Sequence, residues 1–176
     1  IDMWSLGCIL YELHTGDPIF NGSSELDQVF KITEMFGIPP SHMLEKGRKT
    51  KSYFKQNHNR RWQRVELPRP TKTYKTPGGR KLHECLGSEV GGPGGRRLNE
   101  PGHTPNHYRQ FEDLLRRLLD LDPTTRMTPR EALMHPFLNV QRKESSDRTD
   151  NESPKKVPWC ATVHNGTAIR YAKSNS

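Results

Sequence analysis

The sequence predicts a mainly α fold: four main helices, a long irregular stretch at about 38–103 between the second and third, and a disordered tail. Three observations predict it. Apolar residues recur at helical spacing around 2–14, 26–36 and 108–119. Hydroxyl residues suited to starting a helix stand before the later helices, at Ser24, Thr104 and Thr128. Hydrophobic residues make up only 31% of the chain, with 14 Gly and 14 Pro, so much of its length is loop rather than packed core.

The first helix should run from about Asp2 to His14. Met3, Trp4, Leu6, Cys8, Ile9, Leu10, Tyr11 and Leu13 cover nearly all its faces, the pattern of a helix surrounded by protein. Gly16 sits where a left-handed cap belongs, and Pro18 prevents continuation. The pattern begins at the second residue with no run-in and no initiator Met, which reads as a chain that continues upstream. A second helix should start at Ser24, with Asp27 reaching back three residues as the reciprocal cap, and end at Phe36 before Gly37 and Pro39-Pro40. Leu26, Val29, Phe30 and Thr33 form its stripe.

From Ile38 to His103 the periodicity fades. Tyr53, Phe54, Trp62, Val65 and Leu67 allow a short strand pair, and Gly91-Gly92-Pro93-Gly94-Gly95 reads as a loop. The third helix has Thr104 as cap, Pro105 at its first position, and Tyr108, Phe111, Leu114, Leu115, Leu118 and Leu119 on one face. Thr128-Pro129-Arg130-Glu131 is a capping box opening a short helix to about Met134. After Phe137 the composition turns to Ser, Asp and Lys, which predicts a disordered tail over 139–176.

Charge is concentrated. Of a formal net +8, the stretch from Glu45 to His83 carries thirteen Lys and Arg against two Glu, leaving the remainder slightly acidic. A solvated loop explains this; an acidic partner, nucleic acid or an import receptor are the alternatives. Cys8, Cys85 and Cys160 are scattered without a CxxC, which suits a reducing compartment. With no run of 18 apolar residues and no secretory signal, the chain is expected inside the cell and off the membrane, in nucleus or cytoplasm. The sequons at Asn21 and Asn165 then carry no weight. His103 and His107 share helical spacing but lack the acidic partner of a zinc motif, so no metal site is expected. Gly91 to Arg97 has neither phosphate-loop pattern.

Several short motifs occur in a telling order: Asp2-Met3-Trp4-Ser5-Leu6-Gly7, Gly37-Ile38-Pro39-Pro40, then Leu119 to Arg126 with Asp122-Pro123-Thr124-Thr125 inside it, then His135-Pro136-Phe137. Together they resemble the later part of the protein-kinase C-terminal lobe. The long insert resembles that of the CMGC group. Arg80-Lys81-Leu82-His83, Gly91 to Arg97 and Gly102-His103-Thr104 resemble the dual-specificity tyrosine-regulated kinases, in particular the minibrain-like subgroup. The resemblance covers 1–138.

The resemblance implies structural support of a catalytic site from Asp2, Trp4 and Arg126. The carboxylate at the position of Asp2 would accept hydrogen bonds from the catalytic loop, although residue type alone makes it a helix cap. The guanidinium of Arg126 would pair with a Glu upstream of Ile1, whereas an Arg in such a turn otherwise reads as a surface residue. Glu12 would recognise an Arg upstream of a phosphorylated Ser/Thr-Pro in a protein substrate. An exposed helix Glu is the plainer reading.

The resemblance further implies a parent enzyme that uses ATP and Mg²⁺ to phosphorylate protein Ser/Thr, and its own Tyr. Residence in the nucleus is suggested only by this family resemblance. The chain itself contains no HRD, DFG or glycine-rich nucleotide motif, so by itself it is expected to be inactive and to bind neither ATP nor Mg²⁺. A truncated, non-catalytic binding protein is the alternative, and a nucleic-acid module the remote one. No obligate oligomer is evident. Missing neighbours around the first helix predict weakly cooperative unfolding of the chain alone.

Overall fold

In a computed structural model, which describes residues 1–67 and 72–139, the chain begins with helix α1 (Asp2–Thr15) and continues into α2 (Glu25–Phe36). Gly16, at φ 86°, ends α1 by donating its amide to Glu12 O at 2.8 Å. Ser24 starts α2 by accepting the Asp27 amide at 3.2 Å. Asp27 is not the reciprocal cap the spacing suggests. Its carboxylate reaches one residue further back, to the amide and hydroxyl of Ser23 at 2.8 and 3.0 Å.

The stretch expected to be irregular is largely built. It holds α3 (Ser41–Lys46), α4 (Thr50–Tyr53), a β1–β2 ribbon (Phe54–Gln56 and Trp62–Arg64), α5 (Leu82–Leu86) and a 3₁₀ turn (Pro93–Gly95). Helices of one to two turns leave no periodic trace in sequence, which is why only the strand pair was legible there. The ribbon is antiparallel, pairing Phe54 with Arg64 and Gln56 with Trp62. Its tip is braced by Asn57, whose Oδ1 accepts the amides of Asn59 and Arg61, each at 2.9 Å.

Two helices complete the described fold, α6 (Pro105–Leu118) and α7 (Pro129–Leu133). Thr104 caps α6, and Thr128 with Glu131 forms the reciprocal box on α7. A helical turn follows at 136–139, where Asn139, the first residue of the expected tail, donates to Met134 O at 2.9 Å. The rest of that expected tail, from 140 onward, lies outside the described residues.

The main core joins α1, α2, α5 and α6 through Tyr11, Phe20, Met35, Leu82, Leu86 and Leu115. A second cluster of Leu114, Leu118, Met127 and Ala132 seats α7 on α6. Leu82, Leu86, Leu115, Leu118 and Leu119 are fully buried, each worth about 1.5–3 kcal/mol. The α1–α6 approach is close because Gly7 faces Leu118 and Leu119 with no side chain of its own. The return of the insert is laced to α2: the Gly78 and Arg80 amides donate to Thr33 O and Glu34 O at 2.9 and 2.8 Å, satisfying carbonyls of its last turn.

Among the described residues no helix is long and apolar enough to cross a membrane.

Candidate substrate-recognition and scaffold site

The sequence-predicted residues lie along α1 and the turn that follows α6. Trp4 is the centre. Its ring stacks on Phe20 at 5.9 Å and meets the edge of Phe36 at 6.2 Å, tying α1 to the segment before α2 and to the end of α2. The Arg126 guanidinium lies over the same indole at 5.4 Å, a cation–π contact.

Arg126 is held there by its own turn. Its Nε donates to Asp120 O at 2.8 Å and its Nη2 to Leu121 O at 3.3 Å. The Asp residues make the turn rigid: Asp120 accepts from the Asp122 amide and the Thr125 hydroxyl, and Asp122 from the Thr124 amide and hydroxyl. The Thr124 bonds, with a lesser contribution from His42 at 2.8 Å, hold the Asp122 carboxyl below its usual range. Arg126 is thus half-buried rather than a free surface group, and Trp4 and Arg126 are brought together.

Asp2 and Glu12 stand apart from that pair. Asp2 occupies the first turn of α1, after Ile1 as the capping position, and is exposed. Its carboxylate has no hydrogen-bond partner among the described residues. Glu12 lies about 15 Å further along the axis, in the last turn, also exposed and without a side-chain partner among the described residues. Its charge is felt one turn back: burial first, and then Glu12, push the Cys8 thiol upward.

Beside the end of α1 lies a groove of about 530 Å³, walled by His14 and Leu13 on one side and by Gly92, Arg96 and Tyr108 on the other. Sequence reasoning missed it, because its walls come from elements some 80 positions apart. His14 Nε2 meets Leu86 O at 3.0 Å, and Tyr108 Oη meets His103 Nδ1 at 3.0 Å, so both rings are anchored. Two further polar centres were missed. Asp27, 3% exposed, gathers Ser23, Lys72 Nζ at 2.5 Å and Tyr74 Oη at 2.8 Å, which hold its carboxyl far below the usual carboxylate range. Buried His135 meets Asp113 Oδ2 at 2.9 Å, while its Nδ1 accepts the Phe137 amide at 3.3 Å. In both, a buried polar residue was the available signal and a distant partner the missing one.

A helix-rich domain with a single described ribbon, organised around a Trp-bearing helix and an Arg-bearing turn, is the setting in which the family relationship becomes informative. Residues 1–138 match the protein kinase domain, and the chain belongs to that family. Within it, the likeness is to the dual-specificity tyrosine-phosphorylation-regulated kinases. The chain is 38% identical to dual specificity tyrosine-phosphorylation-regulated kinase 2 of Drosophila melanogaster, over 78% of this chain and 16% of that protein. It is 32% identical to dual specificity tyrosine-phosphorylation-regulated kinase 3 of Homo sapiens, over 94% and 27%. It is 37% identical to serine/threonine-protein kinase ppk15 of Schizosaccharomyces pombe, over 78% and 28%. The chain therefore spans between 16% and 28% of the length of these relatives.

Protein kinases generally use ATP with Mg²⁺, and the glycine stretch of this chain does not fit the phosphates. The glycine stretch is already closed on itself: the amides of Gly92, Gly95 and Arg97 donate to Gly87 O, Gly92 O and Gly91 O. They are not available to cradle phosphate. No group of three His, Cys, Asp or Glu among the described residues could hold a metal ion.

Proposed function

We propose that this chain forms the later part of the C-terminal lobe of a dual-specificity kinase. The whole enzyme transfers the γ-phosphoryl group of ATP to protein Ser/Thr, and to its own Tyr. The chain supplies scaffold and substrate recognition. Trp4 and Arg126 brace the start of α1, Asp2 presents a carboxylate to the catalytic loop, and Glu12 reads an Arg upstream of Ser/Thr-Pro. The observation that carries this reading is the exposed carboxylate of Glu12 at the end of α1, which has no side-chain partner among the described residues. Such a carboxylate suits a guanidinium, which it can engage through two hydrogen bonds. By itself the chain transfers no phosphate and binds no Mg²⁺–ATP, since positioning and electrostatics supply nearly all of phosphoryl-transfer catalysis and their groups lie elsewhere.

Steady-state kinetics of Glu12→Gln in the full-length kinase test the assignment, using peptides with and without the upstream Arg. Loss of a charge-assisted hydrogen bond should raise KM for the Arg peptide by about tenfold or more, leaving kcat and the Arg-free peptide little changed. An unaltered preference for Arg would remove Glu12 from substrate recognition.

A further inference from the structure

We infer that the face running from α3 to the tip of the β1–β2 ribbon is a docking surface for an acidic protein segment, separate from the Glu12 end of α1. Between Lys46 and Val65 the sequence has eight Lys and Arg and no Asp or Glu. Three of these cations are engaged inside the fold. Lys49 pairs with Glu25 at 2.7 Å, Lys55 with Glu66 at 2.7 Å, and Arg64 donates to Lys75 O at 2.6 Å while lying over the rings of Phe30 and Tyr74. The other five, Lys46, Arg48, Lys51, Arg60 and Arg61, are exposed and have no acidic partner among the described residues. With the internal pairs formed, this surplus charge faces solvent.

The ribbon tip presents it in a fixed shape. Two backbone hydrogen bonds between Asn57 and the Arg60–Arg61 pair, 2.9 and 3.0 Å, and the two bonds to Asn57 Oδ1 close the turn. Arg60 is held at φ 57°, a left-handed conformation uncommon for a side chain of its size. A turn whose backbone is already fixed, with two exposed guanidiniums at its tip, suits carboxylates, because little backbone ordering remains to be done on binding.

Charge alone would serve nucleic acid as well; the aromatic residues decide between them. Sequence-tolerant binding of single strands relies on exposed rings for base stacking. Here Phe54 is buried, Tyr53 and Trp62 are half-buried, and Tyr74 is bound to Asp27, so the face offers cations without a stacking platform. That favours an extended acidic peptide, recognised electrostatically and with a strong dependence on salt.

The test is fluorescence anisotropy of the full 176-residue chain with a labelled Glu-Ser repeat peptide, alongside oligo(dT) of matched charge. Arg60→Glu/Arg61→Glu should weaken peptide binding about tenfold. Arg109→Glu/Arg130→Glu, exposed positions on other elements with the same change in charge, should weaken it far less. Circular dichroism on each variant shows whether helicity is kept, and Arg60→Lys/Arg61→Lys should retain most binding. Equal losses in the two charge-reversed pairs would mean that only net charge is felt, and would overturn the site. Tighter binding of oligo(dT) than of peptide would assign the face to nucleic acid instead, and no binding of either by the unaltered chain would also refute it.

Discussion

At the scale of the residue, two positions show how a local rule is overridden by packing. Gly7 lies within α1, where replacing Gly by Ala ordinarily stabilises a helix by about 1 kcal/mol. A methyl there would sit 2.8 Å from Leu119 Cγ and 3.1 Å from Leu118 Cβ, both residues fully buried and unable to retreat. Overpacking of this kind costs about 1–3 kcal/mol, so Gly7→Ala should lower stability, as measured by urea unfolding. A gain would mean that α1 and α6 separate readily. Asp27 is the second case. Its carboxyl is held low in the folded state by Lys72, the Ser23 amide and Tyr74, so its contribution is complete above the unfolded value of about 4 and is lost as pH falls through the folded value. Asp27→Asn should cost about 2 kcal/mol at neutral pH, and the difference from the unaltered chain should shrink in acid below about pH 4. A variant gap that stays constant through that range would show that charge is not what Asp27 contributes. The role was invisible in sequence, where Asp27 reads as a cap and two of its partners, Lys72 and Tyr74, stand more than 40 positions away.

At the scale of the element, what could be read in advance was what local chemistry specifies. Ser24, Thr104 and Thr128 marked helix starts because a hydroxyl satisfies free amides wherever the helix packs, and α6 announced its buried face by spacing alone. α5 escaped because five residues display a single pair of buried leucines, Leu82 and Leu86, and its stability comes wholly from the α1 and α6 surfaces it fills. Of the candidate site, the individual residues were legible and their grouping was not: the Trp4–Arg126 contact spans the fold and exists only once α6 has packed on α1. The α7 box gives a direct check on the local part. Thr128→Ala removes the hydroxyl that accepts the Glu131 amide, and should cost about 1 kcal/mol, with Thr128→Ser restoring most of it. Equal stability of the Ala and Ser variants would show that Met127 and Ala132 packing, not the cap, holds this short helix.

At the scale of the whole molecule, the outward face of α1 is the unusual feature. Leu6 is 39% exposed, Ile9 54% and Leu13 78%, on a helix whose other face is packed against α5 and α6. A helix so apolar all round is ordinarily buried on every side. If α1 is surrounded by protein in the whole lobe, as its apolar pattern predicts, Leu6 and Ile9 face the part of the enzyme outside this chain, and their full burial there is worth about 3 kcal/mol together. The double substitution Leu6→Lys/Ile9→Lys then has consequences of different size in two settings. In the chain alone it should lower the melting temperature only modestly and reduce binding of a hydrophobic dye, since Leu6 and Ile9 are already partly in water. In the full-length kinase it should lower the melting temperature markedly and abolish activity, because two charges would be placed in a packed interface without partners. Similar melting shifts in both settings would show that this face stays solvent-exposed in the whole enzyme, and would remove the physical ground for treating α1 as a helix surrounded by protein.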